Sequence, residues 1–160
     1  MKRAQLIDHL RTARAELLAT MDGLPPDTLL RPYVVGMWSL KDLMAHLVAW
    51  ESELITALAG IGTPRRIPHI VQIEDFDEFN EDQYRSNVRR PLDAIQEDFQ
   101  GVHKHLIKAI ETIDEAVLND TRRFAWMEGE PLWTLIADNG YEHEREHAAD
   151  VRRWRTENNL

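Results

Sequence analysis

Residues Leu132 to Trp154 run LWTLIADNGYEHEREHAADVRRW, and the spacing within this stretch decides the fold. At about 100° per residue, Leu132, Ile136, Gly140, His143, His147 and Trp154 share one narrow stripe of a helix, joined by Asn139 and Asp150. The stripe is apolar at its ends and polar in its middle. Buried imidazoles, an amide and a carboxylate left without partners cost about 1 to 3 kcal/mol each, so the stretch needs something that satisfies them. His143 and His147 stand one turn apart and can direct ring nitrogens at a single ion about 2.0 to 2.1 Å away.

A helix with such a stripe must be covered by others, and the chain supplies three. Leu6, Leu10, Ala13, Leu17 and Met21 recur at helical spacing from Lys2 to Met21, where Gly23, Pro25 and Pro26 end the run. Leu40, Leu43, Leu47, Trp50, Leu54 and Leu58 form the seam of a second helix that runs to Ala59, with Ser39 as its cap and Asp42 at its positive end. Pro91 opens a third, whose seam is Leu92, Ile95, Phe99, Val102, Leu106, Ile110 and Ile113. Of the connections, DTLLRPYVVGMW packs apolar residues without regular structure, while the acidic DFDEFNEDQYRSN spaces Phe76, Phe79 and Tyr84 for a short helix that serves as a lid or crossover. The second and third connections are long enough to cross the bundle. With no strand pattern anywhere, the expectation is an all-α four-helix bundle with a crossover connection and a short extra helix, one domain over residues 1–160.

Charge and composition narrow the function. The 19 Lys and Arg stand against 28 Asp and Glu, a net −9 that repels a phosphate backbone, so no nucleic-acid partner is expected. Without cysteine there is no thiolate nucleophile, and any metal must be held by nitrogen and oxygen. The first 18 residues interrupt their apolar positions with charge at every turn, which predicts neither a signal peptide nor a membrane span; no membrane partner and a cytoplasmic location are the expectations.

Two histidines rarely suffice for a metal. His46, at the edge of the second helix's seam, is the best-placed third ligand, with His103 next and His69 and His9 behind. His103 reads as a hydrogen-bonded core residue, His9 and His105 as solvated ones. Three neutral imidazoles leave coordination positions open for water or substrate, and they suit zinc and nickel alike. Asn139 and Asp150 are placed to fix imidazole tautomers, and Trp38, Trp50 and Trp133 to supply apolar walls. His143 to His147 also spell H-E-R-E-H, the H-E-x-x-H pattern of zinc proteases. Only 13 residues follow His147, none of them a histidine, and no strand is available to hold a peptide. The protease reading is set aside, and Glu144, about 100° round from His143, is expected at the rim.

GMWSLKDLMAHLVAWE, Gly36 to Glu51, and NGYEHEREHAADVRRW, Asn139 to Trp154, together resemble the DinB superfamily of four-helix metalloproteins, which includes YfiT-like and thiol-dependent S-transferase members. That resemblance implies a divalent metal held by one histidine of the second helix and two of the last, at the matching positions His46, His143 and His147. The longer stretch from Asp22 to Glu51 looks more specifically like the ClbS/DfsB branch, in which ClbS opens the reactive cyclopropane of a genotoxin by hydrolysis. The branch implies that Asn80 and Tyr84, in the segment after the second helix, face a pocket. Taken together, these readings lead to a metal-dependent enzyme acting on a small electrophilic metabolite or toxin, by hydrolysis or thiol transfer. The alternatives are a noncatalytic protein that sequesters such a molecule and a structural protein that dimerises through its bundle faces. A homodimer is the oligomer that the resemblance implies.

Overall fold

Ser39 starts the helix on which the rest is built. Its Oγ accepts from the Asp42 amide at 3.2 Å, and Asp42 Oδ2 accepts in return from the Ser39 amide at 3.0 Å. The reciprocal pair satisfies two helix-end amides, an arrangement worth about 1 kcal/mol. In the computed structural model, which describes residues 1–160, nine α-helices follow one another: α1 (Arg3–Met21), α2 (Pro26–Leu29), α3 (Leu40–Ala59), α4 (His69–Gln72), α5 (Phe76–Asn87), α6 (Leu92–Glu111), α7 (Glu115–Asn119), α8 (Leu132–Asn139) and α9 (Tyr141–Glu157). A single turn of 3-10 helix, Ala125–Met127, precedes α8, and there is no strand beyond an isolated bridge between Val35 and Trp38. No helix is long and apolar enough to cross a membrane.

The long helices pack α1 against α9, α3 against α6, α1 against α6 and α3 against α8. This order places α1 diagonally from α3, and α6 diagonally from α9. The first and third connections therefore cross the bundle, while the second, which carries α4 and α5, joins neighbours and lies along α3.

The fourth helix departs from the expectation of one continuous stripe. It breaks at Gly140, where φ is −114° and ψ −104°. A Cβ at this position would lie 2.6 Å from the Ile136 carbonyl oxygen and 2.7 Å from Leu10 Cδ2, so the break also makes room for Leu10 of α1. The break resets the helical phase. Leu132, Ile136 and Ala137 are buried on α8, but on α9 the core face is Tyr141, Glu144, His147, Ala148, Val151 and Trp154. Glu144, expected at the rim, is completely buried.

The apolar core itself comes in two clusters. One holds Leu6, Leu10, Leu54, Leu106, Ile110 and Ile136 with their neighbours; the other holds Leu17, Leu43, Leu47, Ile95, Phe99 and Val151 with theirs. On α1, α3, α6 and α9 the residue between the two clusters is polar: Arg14, Glu51, His103 and Glu144.

Candidate metal centre

That central layer is paired largely within itself, leaving His103 Nε2 and Glu144 Oε2 without a partner. Arg14 Nε donates to Glu144 Oε1, one terminal nitrogen donates to Glu51 Oε2 at 3.1 Å, and the other donates to the Phe99 carbonyl. The guanidinium lies 3.7 Å from the centre of the Phe99 ring. His103 Nδ1 stands 3.1 Å from Glu51 Oε1, which bears out the hydrogen-bonded core reading of that histidine. Burial raises the Glu144 carboxyl to about 8; Arg14 opposes the shift and Glu51 adds to it. Glu51, His103 and Glu144 have the donor atoms of a metal site. Their space is already taken, because an ion there would have to displace a guanidinium bonded to both carboxylates.

On the outer side of the same two helices lies a different cluster. His46 comes from α3, His143 and His147 from α9, and their Nε2 atoms converge: His46 to His143 is 2.9 Å and His147 to His143 is 3.1 Å. The His147 Nδ1 faces Asp150 Oδ2 at 3.2 Å. Trp38 lies against His46, ring centres 4.9 Å apart, and fixes its plane. Burial lowers the pKa of all three imidazoles, with repulsion between the rings adding to it at His46 and His143; His46 falls to about 2 and His143 to about 3. On His147, Asp150 opposes the shift.

The proton count tests whether these residues fit a metal. A carboxylate only accepts, so His147 Nδ1 carries its proton and the neutral ring leaves Nε2 bare. His143 Nε2 must then carry a proton to satisfy His147, and a protonated Nε2 cannot also accept from His46. One of the two short nitrogen contacts therefore fails as a hydrogen bond in the neutral triad. A cation resolves the conflict, since all three Nε2 lone pairs then have one acceptor of electrons. The donor set, three imidazoles without thiolate, fits a divalent transition metal.

The triad forms the floor of an open cavity of about 1120 Å³. Its walls come from Trp38, Trp50, Phe76, Trp126 and Leu135, and its mouth from Glu128, Glu130, Asp138 and Glu146. Of the residues singled out in the sequence, Trp38, Trp50, Asn80 and Asn139 line this cavity. Asn80 Oδ1 accepts from Trp50 Nε1 at 3.0 Å, tying α5 to α3. Asn139 bonds back to the Leu135 carbonyl at 3.0 Å and to no histidine, so the tautomer role expected of it falls to Asp150 alone. Tyr84 opens only onto a small hollow behind His46, shared with Trp38 and Asn80. Trp133 packs on the core and is no part of the wall. His69 is exposed and pairs with Glu53, His105 is exposed, and His9 is half-buried against Tyr141 rather than solvated.

Comparison with known proteins agrees with this architecture. Among solved structures, the sibling lethal factor precursor DfsB superimposes with a TM-score of 0.83 at 12% identity, over 99% of this chain and 97% of its own. The colibactin self-resistance protein ClbS, solved in complex with a dsDNA, superimposes at 0.77 with 11% identity, over 94% and 93%. An uncharacterised protein of Escherichia coli UTI89 gives 0.76 at 16% identity, over 99% and 95%. Identities this low speak for the fold alone. No curated protein matches the sequence. The family model of the DinB superfamily matches residues 9–151, a span that holds all three histidines and the four-residue layer behind them, and the chain belongs to that superfamily.

Proposed function

We propose that the protein is a metal-dependent enzyme in which His46, His143 and His147 hold a divalent ion, zinc or nickel by donor type, and that it hydrolyses a small electrophilic metabolite or toxin. The observation that carries this reading is the convergence of three Nε2 atoms whose hydrogen bonds cannot all be satisfied without a cation, at the floor of a cavity large enough for a substrate. When bound, such an ion lowers the pKa of a coordinated nucleophile and polarises an electrophilic group. The chain does the rest. Asp150 holds the His147 proton on Nδ1 and thereby keeps Nε2 free to ligate. Because their pKa values are lowered, the imidazoles are neutral and ready as ligands at neutral pH. The aromatic walls keep water from the substrate's apolar part.

Hydrolysis is favoured over transfer of an acidic thiol because four carboxylates and no Lys or Arg line the cavity. The same lining, in a chain of net charge −9, favours a small molecule over DNA as partner. The test incubates the protein with a panel of epoxides, aziridines and activated cyclopropanes after chelation and after reloading with zinc or nickel. Turnover should follow reloading, and His46→Ala should lower it more than about 100-fold, beyond what the loss of a supporting hydrogen bond gives. Equal turnover with and without metal would sink the metal-dependent reading; tight binding without conversion would make the protein a sequestering one.

A further inference from the structure

Resting on that reading of the cavity as the substrate site, we propose that the molecule it takes is an amphipathic cation: a positively charged amine carried on a flat apolar body. Glu128, Glu130, Asp138 and Glu146 line the cavity, and none of their side chains makes an ion pair or a hydrogen bond within the protein. Unpaired acids occur elsewhere on the surface, Asp8, Asp77, Glu97 and Glu157 among them, but these four are gathered around one cavity. No Lys or Arg lies among the cavity's lining residues. An ion of charge +2 on the imidazoles would offset two of the four negative charges and leave two for the ligand. Crowding is evident at Asp138, where burial first, and then Glu142 and Glu130, raise the carboxyl's pKa.

The second half of the argument is the interior. Trp38, Trp50, Phe76 and Trp126 present aromatic faces and edges to the same space, and aromatic rings attract a cation and stack on a flat apolar group. His46, only 7% exposed, closes the floor of this space between Trp38 and Trp50, so the acidic mouth leads to an aromatic interior. Charge at the mouth gathers cations from solution, the rings retain those with an apolar body, and anions are turned away.

The test uses metal-free protein and probes that do not react: benzyltrimethylammonium, which neither loses its charge nor ligates a metal, against benzyl alcohol and phenylacetate, by calorimetry. The cation should bind about tenfold tighter than the alcohol, an advantage of the size that ring and carboxylate attraction provide, and phenylacetate should not bind. Raising salt from about 20 to about 300 mM should shrink the advantage, a measurement that needs no variant. The Glu130→Gln/Asp138→Asn protein should lose most of it, whereas Glu97→Gln/Glu157→Gln, which removes as much charge far from the cavity, should keep it. Equal binding of cation and alcohol, no binding of any probe, or an advantage indifferent to salt and to the cavity variant would overturn the proposal. Turnover of uncharged electrophiles by a protein with no cation preference would leave the enzymatic reading standing while this one falls; cation preference without any turnover would do the reverse.

Discussion

Two polar clusters sit back to back in this bundle, built in part from adjacent residues of one helix, and they solve opposite problems. Glu144 faces inward to Arg14, Glu51 and His103; His143, the residue before it, faces outward to His46 and His147. The inner cluster brings its own cation, and its space is closed by a guanidinium that bonds three partners from three helices. The outer cluster contains no cationic side chain, and its two ring contacts ask His143 Nε2 to donate to His147 and accept from His46 at once. Buried polarity is thus no signature of a site by itself. What separates this structural layer from the candidate metal centre is that the layer supplies its own cation, Arg14.

The largest effect should come from opening the closed cluster. Arg14→Ala leaves the buried Glu51 carboxylate without its guanidinium and strips Glu144 of its hydrogen-bond partner, and should cost about 3 to 5 kcal/mol in denaturant unfolding. Replacing Arg14, Glu51 and Glu144 together by apolar residues of similar volume should recover most of that loss; if the triple variant is no more stable than Arg14→Ala, the layer is not a self-contained ion pair system. Next comes the open cluster. Zinc or nickel at about a thousandfold over its dissociation constant should stabilise the native protein by about 4 kcal/mol, and His143→Ala should abolish that gain while leaving the metal-free protein folded. A metal-induced shift that survives in the variant would place the ion elsewhere.

The smallest effect sharpens the contrast through pH. Each imidazole of the triad has a folded pKa below its ordinary 6.5, about 2 at His46 and about 3 at His143, so its contribution to the metal-free protein is complete above pH 6.5 and is lost as pH falls below it. Glu144 runs the other way: its carboxyl is raised to about 8 from 4.5, so its contribution is complete below pH 4.5 and is lost as pH rises toward 8. Each limb has a slope of at most about 1.4 kcal/mol per pH unit per group. Glu144→Gln, which mimics the protonated acid, should cost less than about 1 kcal/mol at neutral pH and should flatten the loss between pH 6.5 and 8; a large cost would mean that the carboxyl is ionised there.

The seams of the first three long helices and the cap at Ser39 were legible in the sequence because each depends on spacing within one helix. So was the pairing of His46 with His143 and His147, though through resemblance as much as spacing. Glu144 was not, and the reason is Gly140. Counting about 100° per residue from Leu132 carries the wrong phase past the break, which sends Glu144 to the surface and puts Asn139 beside the histidines. Arg14 was missed for a different reason: a charged residue inside an apolar seam is ordinarily assigned to solvent. The signal was nevertheless present. Arg14, Glu51 and His103 each follow an apolar core residue by four and precede another by three: Leu10 and Leu17, Leu47 and Leu54, Phe99 and Leu106. One such residue is noise; the same pattern at the midpoint of three helices is a layer.

The helix α5 has a consequence of another kind. It holds Phe76 and Asn80 over the cavity, yet none of its residues is buried; it is attached by Phe76 and Phe79 packed on Trp50, by the Trp50 hydrogen bond to Asn80, and by the Lys41 ammonium, which bonds the carbonyls of Val88 and Arg90 just beyond it. The wall of the cavity and the core of the bundle therefore keep separate clocks. Opening α5 would lift two rings from Trp50 and break three hydrogen bonds, while opening α3 against α6 would unfold the protein. A ligand can enter and leave on the first timescale without ever waiting for the second.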